Sequence, residues 1–152
     1  FKMRPPHTTG SYIANEHPLF RSFPTDNWSN LNWWELLNKA QVMNLSEFPK
    51  SYQSPIQTID TWHISRKIGM LVEANVGKGK LLMTTMDISR NLDKRPVARQ
   101  MRKAILEYMN GSDFNPQLSI DSQLITNLFE KEAPKVDMFT KDSPDELKPK
   151  IK

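Results

Sequence analysis

The chain contains no cysteine. That excludes a disulfide framework, a thiolate nucleophile, and any zinc or iron–sulfur site built on cysteine. It does not fix a compartment, since secreted and cytosolic proteins alike can lack cysteine. No uncharged apolar run approaches the ~18 residues of a membrane span. Phe1 to Pro6 lacks the apolar core of a signal peptide. A chain that begins with Phe rather than Met reads as a piece of a longer product. Histidine is also sparse: His7, His17 and His63 stand ten and forty-six residues apart. No HxH or HExxH spacing is present, so metal ligation is not indicated and no cofactor is expected.

What remains is 152 residues, 38% of them apolar, with a net charge of +4. This is about one domain's worth of chain. The charge is concentrated. Residues 61–110 hold ten cations and four anions, a segment of +6, while the rest carries −2. A nucleic-acid reader would need those cations on one face with aromatic platforms or a groove-entering helix. Trp62 and Tyr108 are the segment's aromatics, and neither lies inside a basic run. A solvated surface explains the segment better, and nucleic acid is the weaker partner reading.

Residues 1–30 carry prolines at 5, 6, 18 and 24, which limit regular structure to short pieces. Glu16 to Thr25 reads as a short helical turn followed by a loop, with His17 at its start. Ser29 or Asn30 caps a helix expected over about 31–41, where Leu31, Trp34 and Leu37 share a face that Asn38 and Gln41 continue in polar form. Trp33 and Trp34 point about 100° apart on such a helix, so one belongs to the core and the other to an edge.

The middle of the chain has the clearest pattern. Ile56 to Thr61 alternates in a strand-favouring run ending at Trp62. Ile68 to Val76 and Lys80 to Met86 are apolar strands on either side of Gly77-Lys78-Gly79, a hairpin in which glycine supplies the positive φ of the turn. The second strand is apolar almost throughout, as expected when both faces are covered. A helix follows over about 94–110, with Pro96 in its first turn, Gly111 at C′, and one face formed by Val97, Met101, Ala104, Ile105, Tyr108 and Met109. Strand, strand and docking helix predict an α/β layer architecture. Residues 1–116 form the body. Residues 117–152 form a short helix, capped by Asp121 or Ser122 and running to Glu130, and an extended tail after Ala133.

Few residue groups carry chemistry. Gly77-Lys78-Gly79-Lys80 lacks the spacing of a phosphate loop and is not followed by a helix. Asp60, Glu73 and Asp87 are the carboxylates worth pairing for glycosidic acid–base work, but strand-end acids are common. Nothing resembles a nucleophile elbow. Phe20, Phe23, Trp28, Trp33 and Trp34 form an aromatic cluster denser than a small core requires; it can stack on sugar rings or pack against another domain. Packing is the usual fate of such clusters.

The strings "EHPLFRSFPTDNWSNLNWWELL" (16–37), "IQTIDTWHISRKIGMLVEANVGKGKLLMTTMDIS" (56–89) and "RPVARQMRKAILEYMNGSDFNP" (95–116) resemble the C-terminal region of glycoside hydrolase family 2, β-galactosidase-like enzymes of Bacteroidota. The resemblance spans roughly residues 8–130. Its hairpin and helix also look like the end of glutamine-amidotransferase-like domains. It implies a partial doubly wound sheet, flavodoxin-like in class, with a C-terminal hairpin and docking helix and with its first strand and helix lying ahead of Phe1. A sheet edge is then left unpaired or completed by a neighbouring chain. The family's catalytic carboxylates lie in a separate barrel, so none is carried over, and amidotransferase chemistry needs a cysteine that is absent. The implied role is a non-catalytic accessory domain of a periplasmic or secreted glycosidase, packing on upstream domains or on a second subunit. The alternatives are a carbohydrate-binding module using Trp28, Trp33, Trp34 and Trp62, and an anion- or nucleic-acid-binding segment over 61–110.

Overall fold

The structure, a computed structural model, describes residues 10–38, 40–60 and 65–132. Over these residues the fold is mixed α/β, with two small sheets and three α-helices, and neither sheet closes into a barrel. The first sheet contains β1 (Ser11–Ile13), β2 (Met43–Asn44), β3 (Ile56–Thr58) and β4 (Ile68–Gly69), in the order β1-β3-β4-β2 with every pairing antiparallel. The second contains β5 (Leu71–Val76), β6 (Gly79–Thr84) and β7 (Ser119–Ile120), in the order β6-β5-β7. β5 and β6 form an antiparallel hairpin, and β7 joins β5 in parallel. The helices are α1 (Trp34–Leu37), α2 (Pro96–Asn110) and α3 (Ser122–Glu130).

The hairpin forms where the sequence places it. Val76 pairs with Gly79, leaving a two-residue loop. Gly77, at its first position, takes φ +57° in a region costly for any residue with a Cβ. Gly79 needs no such freedom and already belongs to β6. Ile68 to Val76 is interrupted at Met70, whose amide donates to Ile56 O and whose carbonyl accepts from Thr85 N. Met70 thus hands the chain from one sheet to the next.

β5 separates two cores. Leu71, and Leu82 diagonally across the hairpin from it, face a large cluster that includes Phe20, Trp33, Met101, Ala104 and Ile105. Val72 and Met83, one residue on, face a smaller cluster with Met43, Leu45, Phe48, Leu124 and Leu128. A strand alternates its side chains between faces, so α2 covers one side of the hairpin and α3 the other. The apolar run of β6 nevertheless does not mean full burial. β6 is an edge strand, and Leu81 to Thr84 are only half-buried. Beyond Pro116 the chain continues the fold, with β7 in the sheet and α3 on the second core. The tail after Ala133 lies outside the described residues.

The helix expected over 31–41 is replaced by a 3-10 turn, Leu31–Trp33, and the single turn of α1. Asn30 caps the turn by accepting from Asn32 N at 3.0 Å. Asn38 ends α1 with extended ψ of 121°, after which Ala40 and Val42 are buried and Gln41 between them is exposed. That alternation belongs to extended chain, not helix. α2 begins at Pro96 and ends at Asn110 as its pattern predicts, but Gly111 closes it in extended conformation, φ −87°, rather than left-handed.

Candidate functional site

The chemistry-bearing side chains are drawn into separate local networks. Glu73, at the centre of β5, accepts from Tyr108 OH at 2.7 Å and from His17 Nε2 at 3.3 Å. His17 starts the 3-10 turn Pro18–Ser22, where its Nδ1 accepts from Leu19 N at 3.3 Å. With Nδ1 used as an acceptor, the neutral ring carries its proton on Nε2 and donates it to Glu73. Burial raises the Glu73 pKa, but the hydrogen bonds from His17 and Tyr108 outweigh it and hold the carboxyl below its ordinary value. Burial, reinforced by the Glu73 bond, pushes the Tyr108 phenol up. On the neighbouring side Tyr52 OH accepts from Glu73 N at 3.2 Å, and burial raises that phenol to about 12. Both ring nitrogens of His17 and both carboxylate oxygens of Glu73 are engaged, so this cluster ties together the first 3-10 turn, β5 and α2.

Asp60 is buried to 1% side-chain exposure and grips Arg66 with both oxygens, at 2.7 Å to Nε and 2.9 Å to Nη2, while also accepting from Arg66 N at 2.9 Å. Asp87 holds Arg90 at 2.8 Å and Arg95 at 3.2 Å. Its carboxyl lies below the ordinary range because hydrogen bonds from the amides of Arg90 and Ser89 and from the Arg90 side chain outweigh a larger single effect of desolvation. Arg95 also donates to the carbonyls of Asp87 at 2.7 Å and Glu35 at 3.2 Å. Glu35 in turn accepts from Ala98 N at 2.9 Å, capping α2 from another helix. The carboxylates Asp60, Glu73 and Asp87 are therefore each engaged by a different set of basic or phenolic partners. Among the described residues no group of three His, Asp or Glu side chains is placed to hold a metal ion. No described helix is long and apolar enough to cross a membrane.

The aromatic cluster divides. Trp33 is 1% exposed, stacks edge-on with Phe20 and Phe23, and donates its indole N–H to Thr25 Oγ1 at 2.9 Å. It is core and offers no face to a sugar or a second domain. Trp28 and Trp34 are 57% and 47% exposed. Trp62 and His63, like His7, lie outside the described residues. The sequence pattern assigned Tyr12 no role and Ile59 only a place in an alternating strand, yet both are exposed on the face of the first sheet that carries Trp28. Tyr12 is the outward residue of β1, bridges to Trp28 across the backbone, and meets its ring edge-on at 5.7 Å. Ile59 extends the same outer face just beyond β3, its amide donating to Gly10 O at 2.9 Å, and is 48% exposed. The alternation of Tyr12 between buried Ser11 and Ile13 was the signal available for this surface. Beneath it, Ser11 and Thr58 face each other across β1 and β3 with buried hydroxyls that find no hydrogen-bond partner among the described residues.

No curated protein matches the chain. Among models of known families, one matches residues 1–130, and on that extent of match the chain belongs to the family described as a domain of unknown function, DUF8487.

Proposed function

We infer that the chain is a non-catalytic accessory domain of a glycoside hydrolase family 2, β-galactosidase-like enzyme. It serves to pack against the enzyme's other domains or a second subunit. One observation carries the packing role: the exposed apolar surface of Tyr12, Trp28 and Ile59 on the outer face of the first sheet. Isolated exposed apolar residues are ordinary, but an exposed aromatic pair with an aliphatic residue on the same sheet face is the composition of a contact face. The resemblance of residues 16–37, 56–89 and 95–116 to the C-terminal region of that family supplies the parent enzyme. A partial doubly wound sheet is the finer fold reading; the parallel β5–β7 pair and helices on both faces of β5 support it. A periplasmic or secreted location follows from the same resemblance.

A carbohydrate-binding role is the second reading, favoured by the exposure of Trp28 and Trp34. Sugar stacking uses a flat ring face, whereas Trp28 and Tyr12 meet at 76° and present an edged, two-sided surface better matched to protein packing. Titrating intrinsic tryptophan fluorescence with galactosides separates the two. The packing reading predicts no spectral shift at millimolar sugar, and a saturable shift lost in Trp28→Ser would replace it with the carbohydrate reading.

A further inference from the structure

A second surface, independent of the aromatic one, lies along the outer side of α2. Arg99, Arg102, Lys103, Leu106, Glu107 and Asn110 recur at helical spacing. With Leu92 from the preceding loop they line an open groove of about 650 Å³. Its floor is apolar, since Leu106 is 45% exposed and Leu92 is half-buried beside it. Its rim is cationic at the N-terminal half of the helix. Arg99 makes no side-chain hydrogen bond or ion pair among the described residues. Arg102 has only a long bond, 3.4 Å, to Ile88 O, and Lys103 pairs within the helix with Glu107 at 3.6 Å. The exposed Leu106 and the weakly neutralised Arg99 and Arg102 thus lie side by side on one helix face.

We propose that this groove docks an acidic, amphipathic protein segment. Carboxylates of that segment meet Arg99, Arg102 and Lys103, and one of its apolar side chains seats against Leu92 and Leu106. Arginine beside an apolar floor is the composition of protein contact sites, and its fork suits carboxylate pairs. A nucleic-acid duplex uses the charge but gains nothing from the leucines, and Glu107 at the C-terminal end of the groove repels phosphate. The asymmetry of the rim also sets polarity: the partner's acidic end lies over Arg99 and its neutral end over Asn110.

The test is fluorescence anisotropy with the whole chain and a fluorescein-labelled synthetic helix bearing glutamates on one face and leucines on the other. A second probe replaces its leucines with serine, and a third is a labelled random-sequence DNA duplex. The leucine-faced peptide binds saturably, and the serine version binds at least about tenfold more weakly. Arg99→Glu with Arg102→Glu weakens the peptide by more than about tenfold, Arg99→Ala by less, and Leu106→Ser weakens it without altering its salt dependence. Equal binding of the serine peptide, equal or tighter binding of DNA, or no anisotropy change at millimolar peptide overturns the proposal. Circular dichroism on each variant confirms that these exposed substitutions leave the fold intact.

Discussion

The phenol of Tyr108 donates a 2.7 Å hydrogen bond to Glu73, fastening the last turn of α2 to the middle of β5. His17 reaches the other oxygen of the same carboxylate from the start of the first 3-10 turn. The single acid of β5 thus joins three segments far apart in sequence, and its place in the strand is structural.

The Glu73 carboxyl is held below its ordinary pKa, so it contributes stability that is present above the unfolded carboxylate value, about 4.3, and is lost as pH falls through the folded value. Tyr108→Phe should cost about 1–2 kcal/mol at neutral pH by removing a donor to a charged acceptor. Glu73→Gln should flatten the dependence of stability on pH between neutrality and about pH 3. Urea denaturation across that range measures both, and an unchanged pH slope in Glu73→Gln contradicts the assignment.

Tyr52 offers a check at the opposite end of the scale. Its phenol is raised to about 12, so this group stabilises the fold below its unfolded value near 10 and withdraws that contribution as pH climbs toward 12. Ultraviolet titration of the folded chain should show a late phenolate that disappears in Tyr52→Phe. A Tyr52 transition at the ordinary value means the ring is not buried against Glu73.

The cap on α2 comes from Glu35, which accepts from Ala98 N, while Arg95 at the helix start ties α1 to the loop bearing Asp87. Glu35→Ala should therefore lower stability by about 1 kcal/mol, with Glu35→Gln recovering part of it because the amide oxygen still accepts. Amide exchange would then rise first over Val97 to Arg99. Uniform protection across α2 in Glu35→Ala argues against a capping role.

Asp60 and Arg66 form the most buried ion pair described, with side chains 1% and 17% exposed. Asp60→Asn leaves the guanidinium short of its counter-charge and should cost about 3 kcal/mol. The double variant Asp60→Asn with Arg66→Met should be less destabilised than the two single changes summed, as a coupled pair requires. Additive losses in equilibrium unfolding rule the coupling out.

Much of the fold was legible because it rests on local chemistry. The Gly77 turn, the Pro96 helix start, the Asp121 cap, which accepts from Gln123 N at 2.8 Å, and the His17 turn each involve residues a few positions apart. The early helix was misread because Leu31, Trp34 and Leu37 do keep helical spacing, while the Ala40-Gln41-Val42 alternation that follows is too short to outweigh it. The surfaces were harder. Residues 16 to 37 give no sign that Trp33 is enclosed and Trp28 open; that depends on Tyr12, sixteen residues from Trp28, which β1 brings alongside it. The bonds of Glu73 to Tyr108 and His17 and of Glu35 to Ala98 N join residues 35, 56 and 63 positions apart, beyond the reach of any periodicity.

The central claim is that this chain serves a glycosidase without performing its chemistry. Hydrolysis of an aryl β-galactoside, measured on the native polypeptide that carries residues 1–152 and on the isolated chain side by side, tests it most directly. The account predicts turnover by the native polypeptide and none by the isolated chain. Turnover by the isolated chain, or a native polypeptide inert toward aryl glycosides, would contradict it.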